Sequence, residues 1–269
     1  MNETVKRGIS GTVYIFLLMG CTLYSSQSFF VLFGLLMLIA VNEFCNILNI
    51  NKIASLIIAA TIYFLFYKFK FSPQNDKLLL LASLLISTKC IFFLFETKTV
   101  KMDITSKFAY LVGYVILPFV IITKIAFGIH GFNPKIIISI FILIWTNDTF
   151  AYIVGKSIGR NKLFERISPK KTIEGFVGGV IFTVIASFFI SKYFIQGATQ
   201  IWLIIAVIVG VFGTIGDLIE SKFKRFAGVK DSGTIMPGHG GVLDRLDSVI
   251  FVAPYIYLFY QILNYVTFS

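Results

Sequence analysis

The sequence predicts an all-α protein: a polytopic transmembrane helix bundle of about nine spans, with a polar cavity facing the cytoplasm. Three observations predict it. Hydrophobic residues make up 57% of the 269 positions and aromatics 16%, while only 14% are charged, a balance foreign to soluble domains. Apolar runs recur along the whole chain, each near the roughly 20 residues that a bilayer core requires. Lysine and arginine gather in alternate connections between those runs.

The expected spans are 8–24, 29–48, 53–69, 78–96, 108–128, 136–155, 175–194, 200–219 and 247–266. The first follows Lys6 and Arg7 and ends in Leu-Met-Gly-Cys at Cys21, which superficially matches a cleavable leader. A second apolar run follows at once and the remainder is polytopic, so an uncleaved first span is expected. Cys21, Cys45 and Cys90 lie inside apolar runs with neither disulfide nor zinc spacing, and read as small core residues. Pro118 falls inside the fifth run and is expected to kink it. Residues 1–269 read as a single integral membrane domain, with N-terminal helices in 1–130 and the catalytic helices and polar loops in 131–269.

Net charge is +11. In this setting it reflects membrane topology and anionic lipid, and no nucleic acid is expected. With nine spans, 17 of the 24 lysines and arginines fall on the side of the N-terminus and five on the other. The N-terminus and the long connections 156–174 and 220–246 are therefore expected in the cytoplasm, and the C-terminus outside. On that topology Glu43, Lys89, Asp148 and Asp217 all lie in the cytoplasmic halves of their spans, and Glu174 and Asp247 begin theirs. Ionisable groups are costly in hydrocarbon and face a wet cavity or one another, so a shared depth implies one polar cavity. Glu43 and Lys89 are equally well read as snorkelling to the interface.

The segment 221–247, SKFKRFAGVKDSGTIMPGHGGVLDRLD, concentrates Lys222, Lys224, Arg225, Lys230 and Arg245 beside Asp231, Asp244 and Asp247. Just upstream, Asp217, Glu220, Ser221, Lys224 and Arg225 recur at helical spacing and share one face. Carboxylates next to lysine and arginine suit a magnesium-bridged polyphosphate, because carboxylates hold the hard cation and bases hold phosphate oxygens. The run Gly238-His239-Gly240-Gly241 allows close backbone approach to a ligand. His239 either contacts phosphate or shapes the turn. His130 reads as a solvated loop residue, and no His/Cys cluster supports zinc.

A second segment, 147–179, reads NDTFAYIVGKSIGRNKLFERISPKKTIEGFVGG. Gly155, Lys156, Gly159 and Arg160 can bring amides and cations to phosphate. The pairs Gly155/Gly159 and Gly175/Gly179 can equally pack helices, as small residues do in membranes. Ligand approach is the favoured reading for the first pair, flanked by cations, and packing for the second. Lys170 and Lys171 add charge beside an expected helix start, where Thr172 or Ser168 can cap. Spacing and context exclude a Walker A loop.

The two segments together resemble the phosphatidate cytidylyltransferase (CDP-diacylglycerol synthase) family. The resemblance rests on Ser221, Phe223, Lys224-Arg225, Lys230-Asp231, Gly233, Pro237, His239-Gly240-Gly241 and Asp244-Arg245-Leu246-Asp247, with Met236 the one departure. It extends to Asp148, Ala151-Tyr152, Gly155, Gly159-Arg160, Ile167-Ser168-Pro169, Lys171-Thr172 and Glu174-Gly175. It is strong over 147–247 and covers the N-terminal third only as apolar spans.

The resemblance implies transfer of a cytidylyl group from CTP to phosphatidate, with magnesium as cofactor, at a bacterial inner membrane. Cytosine selectivity comes from the resemblance alone. On this basis Asp217, Asp244 and Asp247 are expected as magnesium ligands, and Lys224, Arg225, Lys230 and Arg245 as phosphate holders. Asp231 is either a ligand or the partner of Lys230, and His239 belongs to the same catalytic group. Asp148, Gly155, Lys156, Gly159, Ser168, Lys170, Lys171 and Glu174 are expected in the nucleotide pocket. Expected partners are CTP, phosphatidate and bilayer lipids, with room for a homo-oligomer. The rival readings are a CTP-dependent polyprenol kinase and an ion-coupled transporter.

Overall fold

The computed structural model describes residues 3–68, 73–97, 101–128, 131–238 and 240–268. The helices are α1 (Glu3–Tyr24), α2 (Ser26–Leu48), α3 (Lys52–Lys68), α4 (Pro73–Phe95), α5 (Ile104–Ala126), α6 (Pro134–Ile158), α7 (Ile173–Ile195), α8 (Thr199–Phe226) and α9 (Leu243–Phe268). Each expected apolar run falls in one of them. Among the described residues, seven helices are long and apolar enough to cross a membrane: α2 and α4 to α9. The apolar part of α1, Gly8–Tyr24, and the 17-residue α3 are shorter. The protein is an integral membrane protein.

Pro118 does not produce a simple kink. A π-helical segment, Leu111–Ile116, precedes it within α5, and the Leu117 amide donates to the Val112 carbonyl five residues back. Proline lacks the amide and crowds the carbonyl four residues upstream, and a widened turn absorbs both defects.

The expected polar loop 156–174 contains an antiparallel hairpin, β3 (Lys162–Phe164) with β4 (Ser168–Thr172), while β1 (Phe127–Gly128) and β2 (Gly131–Phe132) form a second short pair. Ile167 at the β3–β4 turn is buried and anchors the hairpin to the bundle. Thr172 then caps α7, its Oγ1 accepting from the Gly175 amide at 3.1 Å.

The core is aromatic where it supports the polar segment. Phe223 of α8 is fully buried, with ring centroids 5.1 Å from Phe44, 5.0 Å from Phe93, 5.2 Å from Tyr110 and 5.5 Å from Tyr114. It ties α8 to α2, α4 and α5, and edge-on or tilted ring pairs add to the area buried. Two turns earlier on α8, a Cβ at Gly216 would lie 2.6 Å from the Phe251 Cβ and 2.9 Å from the Asp247 carbonyl. Glycine there lets α8 and α9 approach closely, which sets Asp217 beside the level of Asp247.

Candidate active site

The face of α8 predicted from helical spacing is present. Ser221 Oγ donates to Asp217 Oδ1 at 3.3 Å, and Lys224 Nζ pairs with Glu220 Oε2 at 2.5 Å, each one helical turn apart. Arg225 leaves that face and becomes exposed, its Nη1 donating to the Val229 carbonyl at 3.1 Å just past the helix end.

The β3–β4 hairpin delivers Lys171 to Asp217 at 2.5 Å. Burial works against the Lys171 charge, but Asp217, with Asp148 and Asp247 beyond it, more than offsets this and raises the ammonium pKa. Asp148 of α6 and Asp247 of α9 therefore lie within electrostatic reach of the lysine that pairs with Asp217 of α8. Of the three, Asp148 is exposed and Asp247 is buried, with its Oδ1 accepting from the Ser248 amide at 2.7 Å.

Beside this cluster, Lys230, Asp231, Gly233, Thr234, Met236, Gly238, Gly240 and Arg245 line a polar cleft of about 460 Å³. That volume is ordinary for a small-molecule site. Arg245 lies within electrostatic reach of Asp148, so the cleft and the carboxylate cluster are neighbours. Tyr14 of α1 adds a hydroxyl that is buried without a hydrogen-bond partner, within electrostatic reach of Arg245 and Asp247. Sequence reasoning passed over Tyr14 because one tyrosine in an apolar span carries no pattern.

Other expected site residues have different employment. Asp244 is committed to the fold: its Oδ1 accepts from Lys224 at 2.6 Å, and its Oδ2 from the Ser232 amide at 2.9 Å and from the Gly241 amide at 2.7 Å, with the Ser232 hydroxyl oxygen also 2.9 Å away. Of the expected metal triad Asp217, Asp244 and Asp247, Asp244 is thus the one engaged by its own loop and by Lys224. Lys224, expected to hold phosphate, is buried between Glu220 and Asp244.

Glu174 turns its carboxylate onto the loop after α6, accepting from the Arg160 amide at 3.1 Å and from Asn161 Nδ2 at 2.7 Å. A Cβ at Gly155 would lie 2.8 Å from Thr172 Oγ1, and one at Gly159 would lie 2.6 Å from the same atom. Both glycines pack against the cap of α7, as small residues do between membrane helices. Gly175 and Gly179 pack against α6 as expected, at Ala151 and Asn147. Lys156 and Lys170 are exposed, Lys156 lying over the Tyr152 ring at 5.8 Å, and Ser168 is half-buried at the start of β4. Lys89 donates to Ser106 Oγ at 3.2 Å. His239 lies outside the described residues.

Among the described residues, no three His, Cys, Asp or Glu side chains are grouped to hold a metal by themselves. Magnesium seldom needs such a cage, being bound by one or two carboxylates together with substrate phosphates. Asp217 and Asp247, as hard oxygen donors beside a phosphate-sized cleft, fit that requirement.

The profile of the cytidylyltransferase family matches residues 5–263, nearly the whole chain. The chain belongs to the cytidylyltransferase family. Relatives include the phosphatidate cytidylyltransferases of Staphylococcus haemolyticus, 51% identical, Staphylococcus saprophyticus, 52%, and Staphylococcus aureus strain COL, 50%, each over 116 residues. Those alignments span 42% of this chain and 44% of each relative. The family match extends across the N-terminal helices, which motif reading covered only as apolar spans.

Proposed function

We propose that this family member transfers the cytidylyl group of CTP to phosphatidate, giving CDP-diacylglycerol and pyrophosphate. The observation that carries the reading is the adjacency of two charged features: a carboxylate cluster around Lys171, and a cleft walled by Lys230 and Arg245. Relatives about 50% identical over their aligned part bear the name of this activity.

In the reaction, a phosphate oxygen of phosphatidate attacks the α-phosphorus of CTP. The bond from that phosphorus to the bridging oxygen of the β-phosphate breaks, and pyrophosphate leaves with the electron pair. The attacking phosphomonoester is already ionised near neutral pH, its second pKa being about 6. No general base is required, and none is assigned. The barrier is electrostatic, because anions must meet and a polyanion must depart. Lys230 and Arg245 hold phosphate oxygens in the cleft, Arg245 in a planar two-pronged grip. Lys171 stands by Asp217 and can turn its charge to phosphate when the nucleotide arrives. Magnesium, held by Asp217 and Asp247 when bound, offsets charge on the triphosphate. The lysine and arginine bias of 17 to five, counted on nine spans, supports a site on the cytoplasmic side of a bacterial inner membrane.

Labelled CTP tests the reading with purified protein and phosphatidate in mixed micelles. Label from the α-phosphate in the lipid product is the expected result. Label arriving only from the γ-phosphate would make the protein a kinase, and no labelled lipid would remove the proposal.

A further inference from the structure

Glu43 lies on α2, 189 positions before Ser232 of the 221–247 segment. It is 2% exposed. No lysine or arginine pairs with it among the described residues. Its carboxylate instead accepts the Val242 amide at 3.0 Å, the Leu243 amide at 2.8 Å and the Ser232 hydroxyl at 3.0 Å. Val242 and Leu243 carry the first amides of α9, which no residue of their own helix can satisfy. A buried carboxylate at a helix start is favoured by those amides and by the helix dipole.

The surroundings are shaped to this side chain. A Cβ at Gly233 would lie 2.5 Å from the Glu43 carboxylate, and one at Gly241 would collide with both Glu43 and Ser232. Gly241, first read as permitting ligand approach, and Gly233 thus close on a carboxylate from a different helix. Ser232 extends the contact, because its hydroxyl also lies 2.9 Å from Asp244 Oδ2. From there Asp244 reaches Lys224 and Lys224 reaches Glu220. The result is a buried polar chain joining α2, the loop, α9 and α8.

We infer that Glu43 is a positioning residue for the substrate cleft: by holding Ser232 and the start of α9, it fixes the wall that carries Lys230, Asp231 and Arg245. Among the described residues, the main chain between Lys230 and Val242 makes one hydrogen bond to itself, from the Met236 amide to the Gly240 carbonyl at 2.9 Å. Its two ends are held chiefly by carboxylates, Asp244 from within the segment and Glu43 from outside it. Without Glu43 the cleft residues are present but not held at one separation. Ground-state binding of a polyphosphate then suffers before the chemistry does.

The assignment of the ligand rests on the cytidylyl-transfer reading, so the test has one arm independent of it. Glu43→Gln keeps the shape but offers an amide nitrogen where one main-chain N–H needs an acceptor. Hydrogen exchange by mass spectrometry on the full-length protein in lipid nanodiscs reads the loop directly. Expected is exchange roughly tenfold faster, the effect of about one charge-assisted hydrogen bond lost, confined to 230–243, with α4 and α5 exchanging as in the parent. Ser232→Ala should give a smaller change over the same residues and serves if Glu43→Gln folds poorly. Parental exchange in the loop of both variants, or acceleration spread evenly over all helices, overturns the inference. In the kinetic arm, Glu43→Gln should raise the KM for CTP roughly tenfold and lower kcat little. A fall in kcat at parental KM also overturns it. A parent protein that transfers no cytidylyl group refutes the proposed function instead, and leaves the exchange result to judge Glu43.

Discussion

Lys171, on a short hairpin outside the helices, reaches Asp217 at the start of the polar face of α8 at 2.5 Å, with Asp148 and Asp247 within electrostatic reach of the same ammonium. One lysine thus offsets part of the charge of three carboxylates contributed by three helices. Lys170, its neighbour in sequence, points to solvent. Alternation along a strand separates the two side chains.

The first prediction follows from that separation. Lys171→Met should lower cytidylyl-transfer kcat/KM by roughly 10²-fold, the effect of removing one donor aimed at developing charge. Lys170→Ala should stay within about threefold, since an exposed charge contributes little. Steady-state kinetics on both purified variants decides, and equal losses would deny Lys171 its special place. The raised Lys171 pKa adds a pH statement. The folded value lies above the unfolded one of about 10.4, so the stabilisation is complete below that pH and disappears only as pH rises through the folded value. Across neutral pH the pair should not titrate, and stability measured between pH 6 and 9, a window of about three units below that onset, should show no step that Lys171→Met removes.

Gly159 gives the second. Its missing Cβ would press on Thr172, the cap of α7, at Oγ1 and at Cγ2, 2.8 Å away. Gly159→Ala is therefore expected to lower stability by about 1–3 kcal/mol through overpacking, seen as a lower thermal midpoint in detergent. KM for CTP in the folded fraction should be close to parental. A large KM change at an unchanged midpoint would restore the ligand-approach reading of this glycine.

Topology gives the third. The charge bias predicts the N-terminus inside and the C-terminus outside. A reporter active only in the periplasm, fused after Ser269, should be active, whereas one fused in the 156–174 connection should be silent. The reverse pattern would place the cleft on the wrong side for cytoplasmic CTP.

What could be read in advance depended on whether the deciding partner was close in sequence. The α8 face of Asp217, Ser221, Glu220 and Lys224 was legible because helical spacing alone determines it. Thr172 as a cap was legible for the same local reason. The role of Glu43 was not: its partners are a hydroxyl 189 positions away and two amides at 199 and 200, and amides leave no trace in the letters. Asp244 was legible as an acid in the right segment, but whether it faces substrate or its own loop depends on where Ser232 and Lys224 come to rest. Gly155 and Gly159 show a third kind of limit, since packing and ligand approach demand the same residue at the same spacing. The β3–β4 hairpin was missed because Ser168-Pro169-Lys170-Lys171 lacks the branched and aromatic residues that mark strands.

The contrast between Asp217 and Asp244 is the last prediction. Both are aspartates in the charged segment, and residue type alone treats them as equivalent magnesium ligands. In the structure Asp244 accepts three hydrogen bonds in a buried chain with the Ser232 hydroxyl beside it, while Asp217 meets a partly exposed lysine and one serine beside the cleft. Replacing Asp244 by Asn leaves Lys224 with one carboxylate in place of two and sets an amide nitrogen against main-chain donors. Removing one partner of a buried charged network costs about 3–5 kcal/mol. Asp244→Asn should therefore lower the thermal midpoint by roughly 6 °C or more, with activity lost in proportion to folded protein. Asp217→Asn should leave the midpoint within a few degrees, because a partly exposed pair contributes little, yet remove most turnover across a magnesium titration. Its second readout needs no turnover: manganese binding followed by electron paramagnetic resonance in the presence of CTP should weaken in Asp217→Asn. It should be retained in whatever Asp244→Asn protein stays folded. Retained manganese affinity in Asp217→Asn, or its loss in folded Asp244→Asn with an unchanged midpoint, would return the metal to Asp244 and undo the division of labour between the two residues.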